Sequence, residues 1–208
     1  MILLTKGVKI LTTIGLVRHG ITDWNILGKS QGISDIPLNY LGELQAVALA
    51  NRLVIEGDWN VIVASDLKRA KETAQIIGDK LNLSANTFDK RIREINCGEI
   101  EGTTEDERIK RWGSNWRELD LGMEQFADVS NRGCAFITEL ANTYSGKRVL
   151  VVSHGALIGL TLQRLLPERF QKTQLDNTSI TILNIEQGVW NCSLYNCTKH
   201  LNENFSNV

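Results

Sequence analysis

The stretch Thr13-Ile14-Gly15-Leu16-Val17-Arg18-His19-Gly20 runs from an apolar, β-rich segment straight into a charged turn that ends on glycine. A strand that reads apolar without alternation has both faces covered, as strands of parallel sheets do. Three further runs have this character, at 61–64, 149–153 and 179–183. The first three of the four each break into a polar or glycine-containing turn and then into a helical pattern. Strands alternating with helices give an α/β fold, a doubly wound and mostly parallel sheet flanked by helices. The segment 189–195 can pair with the fourth run as an antiparallel edge through a turn at Glu186-Gln187-Gly188.

The connecting helices follow from apolar spacing. Leu67, Ala70, Ala74, Ile77 and Leu81 recur at steps of three and four, and Ser65 is a candidate N-cap for that helix. A second helix opens near Asn39 and carries Ala46, Leu49, Ala50 and Leu53 on one face. A third covers about 156–166 and stops at Pro167. From Thr103 to about Asn142 the pattern changes, with a run of charged residues followed by Trp112, Trp116, Met123 and Phe126. Thr104 and Glu107 match a capping box. The expectation is a single domain over 1–208, with a helical cap insertion at about 103–142 laid over the sheet and the active site.

Bulk properties narrow the function. With 208 residues, 42% hydrophobic and 23% charged, the chain can bury a full core, and its formal net charge of -1 gives no reason to expect nucleic acid or an anionic membrane as partner. Cys97, Cys134, Cys192 and Cys197 form no Cys-x-x-Cys pair, which speaks against both a zinc site and a disulfide framework. Four reduced thiols in a cytoplasmic protein are expected, with no metal. Residues 1–11 are interrupted by Lys6 and Lys9 and lack a small-residue cleavage site, so they read as an extension of the first strand.

In an open parallel sheet, ligands bind beyond the carboxyl ends of the strands. Arg18-His19-Gly20, the segment Ser65 to Arg69, and Ser153-His154-Gly155 all fall on that rim. Arg18 and Arg69 can fork onto phosphate oxygens, while Gly20 and Gly155 let the backbone approach closely. A histidine between two cations resists a third positive charge, which leaves a neutral imidazole able to act as nucleophile.

Those residues belong to longer motifs. Leu16-Val17-Arg18-His19-Gly20-Ile21-Thr22-Asp23-Trp24-Asn25 is similar to the opening signature of the histidine phosphatase superfamily, which includes the phosphoglycerate mutases and broad-specificity phosphatases. The resemblance continues through Pro37-Leu38, the run from Ser65 to Ala74, the run from Arg93 to Gly102, Val152-Ser153-His154-Gly155, and Leu175 to Ile180. It implies a phosphoglycerate mutase-like fold and a metal-independent reaction through phosphohistidine on His19. It further implies that Arg18, Arg69, His154, Asn25, Thr22 and Gly155 bind the phosphoryl group and that Glu94 moves the proton. A leaving alkoxide needs a proton and the phosphohistidine then needs an activated water, and one carboxyl group can serve both steps. Glu99 and Glu101 compete for that role, and an alternative for Glu94 is a surface pair with Arg91 or Arg93. Ile100 departs from the tryptophan that many relatives carry.

The family's mutases carry a longer insertion between the positions of Glu94 and His154, and a longer C-terminal tail. This chain therefore leans to hydrolysis of a small phosphorylated substrate, with phosphoglycerate mutase activity as the alternative and a non-catalytic binding module as a remote one. A homodimer is left open. Trp112 and Trp116 read either as substrate contacts on one helical face or as packing of the insertion, and His200 as structural or exposed.

Overall fold

The computed structural model describes residues 11–204, so the expected extension of the first strand falls, Leu11 apart, outside them. Strand β1 (Leu11–Arg18) leads through the short helix α1 (Asp23–Ile26) to α2 (Tyr40–Glu56), β2 (Val61–Ala64) and α3 (Lys68–Leu81). Then come β3 (Thr87–Phe88), α4 (Glu105–Trp112), α5 (Phe126–Thr143), β4 (Arg148–Ser153) and α6 (Gly155–Leu165). The hairpin β5 (Ile180–Glu186) and β6 (Val189–Cys197) precedes the helix α7 (Lys199–Asn204).

The six strands lie in the order β3-β2-β4-β1-β5-β6. Strands β3, β2, β4 and β1 are parallel, and β5 and β6 run antiparallel to their neighbours. The mostly parallel sheet expected from the apolar runs is thus present, with a two-strand antiparallel margin. At the hairpin, Gln187 (φ 52°) and Gly188 (φ 80°) both take positive φ, the geometry of a two-residue turn matched to strand twist.

Alternate residues of each strand serve opposite layers. Ile14, Leu16, Val149 and Val151 pack with Val129, Phe136 and Ile137 of α5 and Leu157, Ile158 and Leu162 of α6. Val17, Leu150, Val152 and Ile62 pack with Leu49 and Leu53 of α2 and Ala70, Ala74 and Ile77 of α3. Each fully buried Leu or Ile contributes about 1.5–3 kcal/mol over its exposed state. Gly15 is the exception on β1, because a Cβ there would lie 2.6 Å from the Trp59 ring that covers the strand.

Two expectations about helices change. The helix after β2 begins at Lys68 and is capped at Leu67 without a side-chain bond, so Ser65 lies two residues before the cap, with its hydroxyl against His154 Nε2 and Leu67 N. The 103–142 stretch is helical and Thr104 with Glu107 forms the reciprocal capping box. However, its second half is α5, a sheet-flanking helix whose Val129, Ile137 and Ala141 are core. The remaining part, about 103–125, carries α4 and sends Trp116 and Leu121 into the same core cluster. Among the described residues, no helix is long and apolar enough to cross a membrane.

Candidate active site

His19 stands one residue past β1, and its main chain is fixed from both sides. Its N–H donates to Ser153 O (2.9 Å), continuing the β1–β4 ladder. Its carbonyl accepts from Thr178 N (3.2 Å) and from Asn177 Nδ2 (3.0 Å). On the ring, Nδ1 lies 2.7 Å from the Gly20 carbonyl oxygen. A carbonyl only accepts, so Nδ1 carries the proton and the lone pair sits on Nε2. Arg69 Nε donates to that Nε2 at 3.3 Å. Burial, and then the charges of Arg69 and Arg18, hold the His19 imidazole well below its ordinary pKa. The ring is therefore neutral at pH 7, with its electron pair facing a cation.

Arg69 is fully buried, and burial lowers its pKa only to about 10, so it stays charged at pH 7. Its Nη1 donates to Ser34 O and its Nη2 to Gly32 O, both at 2.8 Å. Glu101 in turn holds that loop: it accepts from Ile33 N (2.9 Å), Ser34 N (3.0 Å), Ser34 Oγ (2.5 Å) and Cys97 N (3.1 Å). Glu101 is thereby committed to building the arginine's socket. Arg18 donates through Nη1 to Leu175 O. Burial lowers its pKa, and the carboxylates of Glu94 and Asp176 counter part of that shift.

His154 follows β4 and is fully buried, its ring centroid 5.2 Å from that of His19. Burial and the charge on Arg69 keep its pKa well below the ordinary value. Its Nε2 lies 2.8 Å from Ser65 Oγ. Glu94 is not paired with an arginine, because Arg91 bonds Asp89 and Glu139 and Arg93 bonds Asp66. Its carboxylate instead accepts from Ala156 N (3.2 Å) and Leu157 N (3.1 Å) at the start of α6, and from Ile95 N (3.0 Å). Anions are favoured at such a helix terminus. Arg132 fastens the segment behind Glu94, donating to the carbonyls of Arg91 (2.8 Å), Arg93 (2.7 Å) and Glu94 (3.1 Å) while paired with Glu124.

Thr22 and Asn25 form a reciprocal capping box on α1. Asn25 Oδ1 also accepts from Asn177 Nδ2 (3.3 Å), so the amide NH2 group of Asn25 is its free donor end. Thr22 is fully buried and donates to Gln31 Oε1 (3.0 Å), which makes it part of the frame. Of the two glycines, Gly20 differs from its expected use. A Cβ on Gly20 would lie 2.5 Å from Gly42 O, so the close approach there is to the start of α2. At Gly155 the neighbour is Arg18 Nε, 3.4 Å from where a Cβ would be.

The structure brings Arg18, His19, Arg69, Glu94 and His154 to one rim. Trp112 and Trp116 do not share a helical face, since α4 ends at Trp112 and Trp116 begins a separate 3-10 turn. Trp116 is buried between the guanidinium groups of Arg108 and Arg117 and donates to Glu105 Oε1 (3.0 Å), a packing role. Sequence reasoning gave no role to Ser65 beyond capping, nor to Asn177, Thr178 or Arg132. Thr178 has φ 53°, rare for a β-branched residue, and its hydroxyl meets Nε2 of the buried His200 at 3.2 Å. His200 is thus structural and buried rather than exposed. Among the described residues, no group of three His, Cys, Asp or Glu side chains is placed to hold a metal ion.

A fully buried Arg69 and a half-buried Arg18 beside an unprotonated imidazole form a site that can stabilise a phosphoryl group while the imidazole attacks it. Comparison with known proteins points the same way. A model of the histidine phosphatase superfamily (branch 1) matches residues 14–198. The uncharacterized phosphatase PhoE of Bacillus subtilis is 37% identical over 194 residues, covering 92% of this chain and 97% of its own. The probable phosphoglycerate mutase GpmB of Yersinia enterocolitica is 35% identical over 187 residues, covering 84% and 86%. Among solved structures, a mutant phosphoserine phosphatase from Entamoeba histolytica in complex with phosphoserine superposes with a TM-score of 0.77 at 32% identity. That match covers 91% of this chain and 99% of the other.

Proposed function

The chain belongs to the histidine phosphatase superfamily, and from that premise we propose that it hydrolyses small phosphomonoesters through a phosphohistidine on His19. The observation that carries the reading is the lone pair of His19 Nε2, fixed by the Nδ1–Gly20 contact and set beside buried Arg69. In the first step Nε2 attacks phosphorus and the bond to the leaving oxygen breaks. Glu94, in its acid form, gives that oxygen a proton. In the second step Glu94 takes a proton from water, the water oxygen attacks phosphorus, and the N–P bond breaks to release phosphate. The charges of Arg18 and Arg69 offset that on the transferring oxygens, and His154 and the Asn25 amide donate hydrogen bonds to them, which is the work a metal would otherwise do.

Hydrolysis is favoured over transfer to a second substrate hydroxyl because α5 belongs to the sheet-flanking layer and leaves only about 103–125 as a possible cover, whereas a mutase must keep water from its phosphoenzyme. Phosphoserine or a phosphoglycerate is the class of substrate suggested by the phosphoserine and the 3-phosphoglyceric acid bound in two structures of the Entamoeba phosphoserine phosphatase. Cytoplasmic residence is supported by four unpaired thiols, and a homodimer is the assembly to test by light scattering.

Rapid quenching with labelled substrate tests the reading. An acid-labile, alkali-stable label on the protein, absent in His19→Ala and formed equally with a chelator present, is the expected result. Turnover by His19→Ala, or loss of turnover on chelation, rules it out. Phosphoglycerate isomerisation outpacing phosphate release selects the mutase instead.

A further inference from the structure

Ser65 and His154 are both fully buried, and their side chains meet at 2.8 Å through Oγ and Nε2. Either partner could donate in that bond, and the surroundings decide which. Ser65 Oγ already accepts, at 3.4 Å, from Leu67 N. Among the described residues the hydroxyl proton has no acceptor other than His154 Nε2. A ring kept neutral by burial and by Arg69 holds one proton only. If Nε2 takes the hydroxyl proton as a hydrogen bond, the ring proton sits on Nδ1.

His154 Nδ1 is itself buried with no hydrogen-bond partner among the described residues, and so is Arg18 Nε. A buried N–H without a partner costs about 1–3 kcal/mol. Such a cost is retained where an anion is to be received. A bare lone pair at the same place would instead repel phosphoryl oxygens.

We infer that Ser65 is a positioning residue that fixes His154 as its Nδ1–H tautomer, so that the ring offers an N–H donor to the transferring phosphoryl group. The tautomer is a property of the resting protein. Its service to the phosphoryl group rests on the function proposed above.

The experiment has two readouts that fail separately. Nitrogen-15 correlation spectra of the full chain should show His154 protonated at Nδ1 in the wild type, and mixed or Nε2-protonated in Ser65→Ala. Turnover of p-nitrophenyl phosphate by Ser65→Ala should fall by about tenfold or more, less than the 10²–10³ expected for losing an oxyanion donor outright. Ser65→Thr, which keeps the hydroxyl, should restore most of both. A wild-type His154 protonated at Nε2 overturns the inference, and that measurement needs no variant to fold. So does wild-type turnover in a folded Ser65→Ala. Loss of the phosphohistidine reading with an Nδ1–H spectrum would leave Ser65 as the tautomer's determinant and remove only the phosphoryl contact.

Discussion

Gly20 and Gly42 meet backbone to backbone, and a Cβ added to Gly42 would lie 2.1 Å from the carbonyl oxygen of Ile21. The loop that follows His19 therefore rests on the first turn of α2. Gly42→Ala improves helix propensity by about 1 kcal/mol, but the clash is with backbone, which cannot swing aside. The clash wins: stability should fall by about 1–3 kcal/mol, and turnover should fall with it as His19 shifts. Urea unfolding and steady-state kinetics check this, and a variant more stable than wild type refutes the backbone contact.

The two buttressed carboxylates should separate in their response to the leaving group. Glu94→Gln removes the proposed proton donor and should slow alkyl phosphates by about 10²–10⁴, and nitrophenyl phosphate much less. Glu101→Gln disturbs the Arg69 socket and should slow both substrates alike. If the leaving-group dependence appears in Glu101→Gln instead, the two roles must be exchanged.

Acid should act first on stability. His19 and His154 are held well below their ordinary pKa by burial, and His200 is lowered to about 4 by burial and Arg52. The unfolded chain binds these protons near pH 6.5, so it gains on acidification. The stability from each neutral ring is complete above about pH 6.5 and is lost as pH falls toward the folded value. For His200 alone that loss is about 3 kcal/mol by pH 4. Thermal melts of His200→Gln should show a shallower acid slope than wild type, and an unchanged slope would mean His200 does not titrate this way. Over the same upper range, kcat/KM should show no limb near pH 6.5 from His19.

Arg132 should matter to catalysis although it lies behind Glu94. Lysine keeps the charge but cannot span three carbonyls and the Glu124 carboxylate with one planar fork. Arg132→Lys should lower kcat by on the order of tenfold, as a small misplacement of Glu94 would. Inhibition by phosphate should be unchanged. Weaker phosphate inhibition with normal kcat would place Arg132 in binding.

Much of this was readable in the chain itself. The β-branched runs at 61–64 and 149–153 leave few alternatives to buried parallel strands, and the rim they end on holds Arg18, Arg69 and His154. Local signals failed where a residue serves a distant partner. Ser65 has the composition of an N-cap, yet its hydroxyl is taken by a histidine 89 positions away. Gly20 reads as room for a ligand, but the room is filled by Gly42. Glu101 looks like any acid near Glu94 until the loop over 31–34 is seen to close on it. Thr178 gives no sequence sign of a positive φ, because threonine is a residue that avoids it.

Strand β1 sits in the sheet between residues 148–153 and 180–186. Both neighbours are made more than a hundred residues after it, and the clamp on the His19 carbonyl comes from Thr178. On the ribosome, then, His19 has no strand on either side until more than a hundred further residues have followed. Contacts of such long sequence separation form slowly. The chain thus makes His19 before the strands and the Thr178 clamp that hold it, so its setting cannot be complete until they have been added.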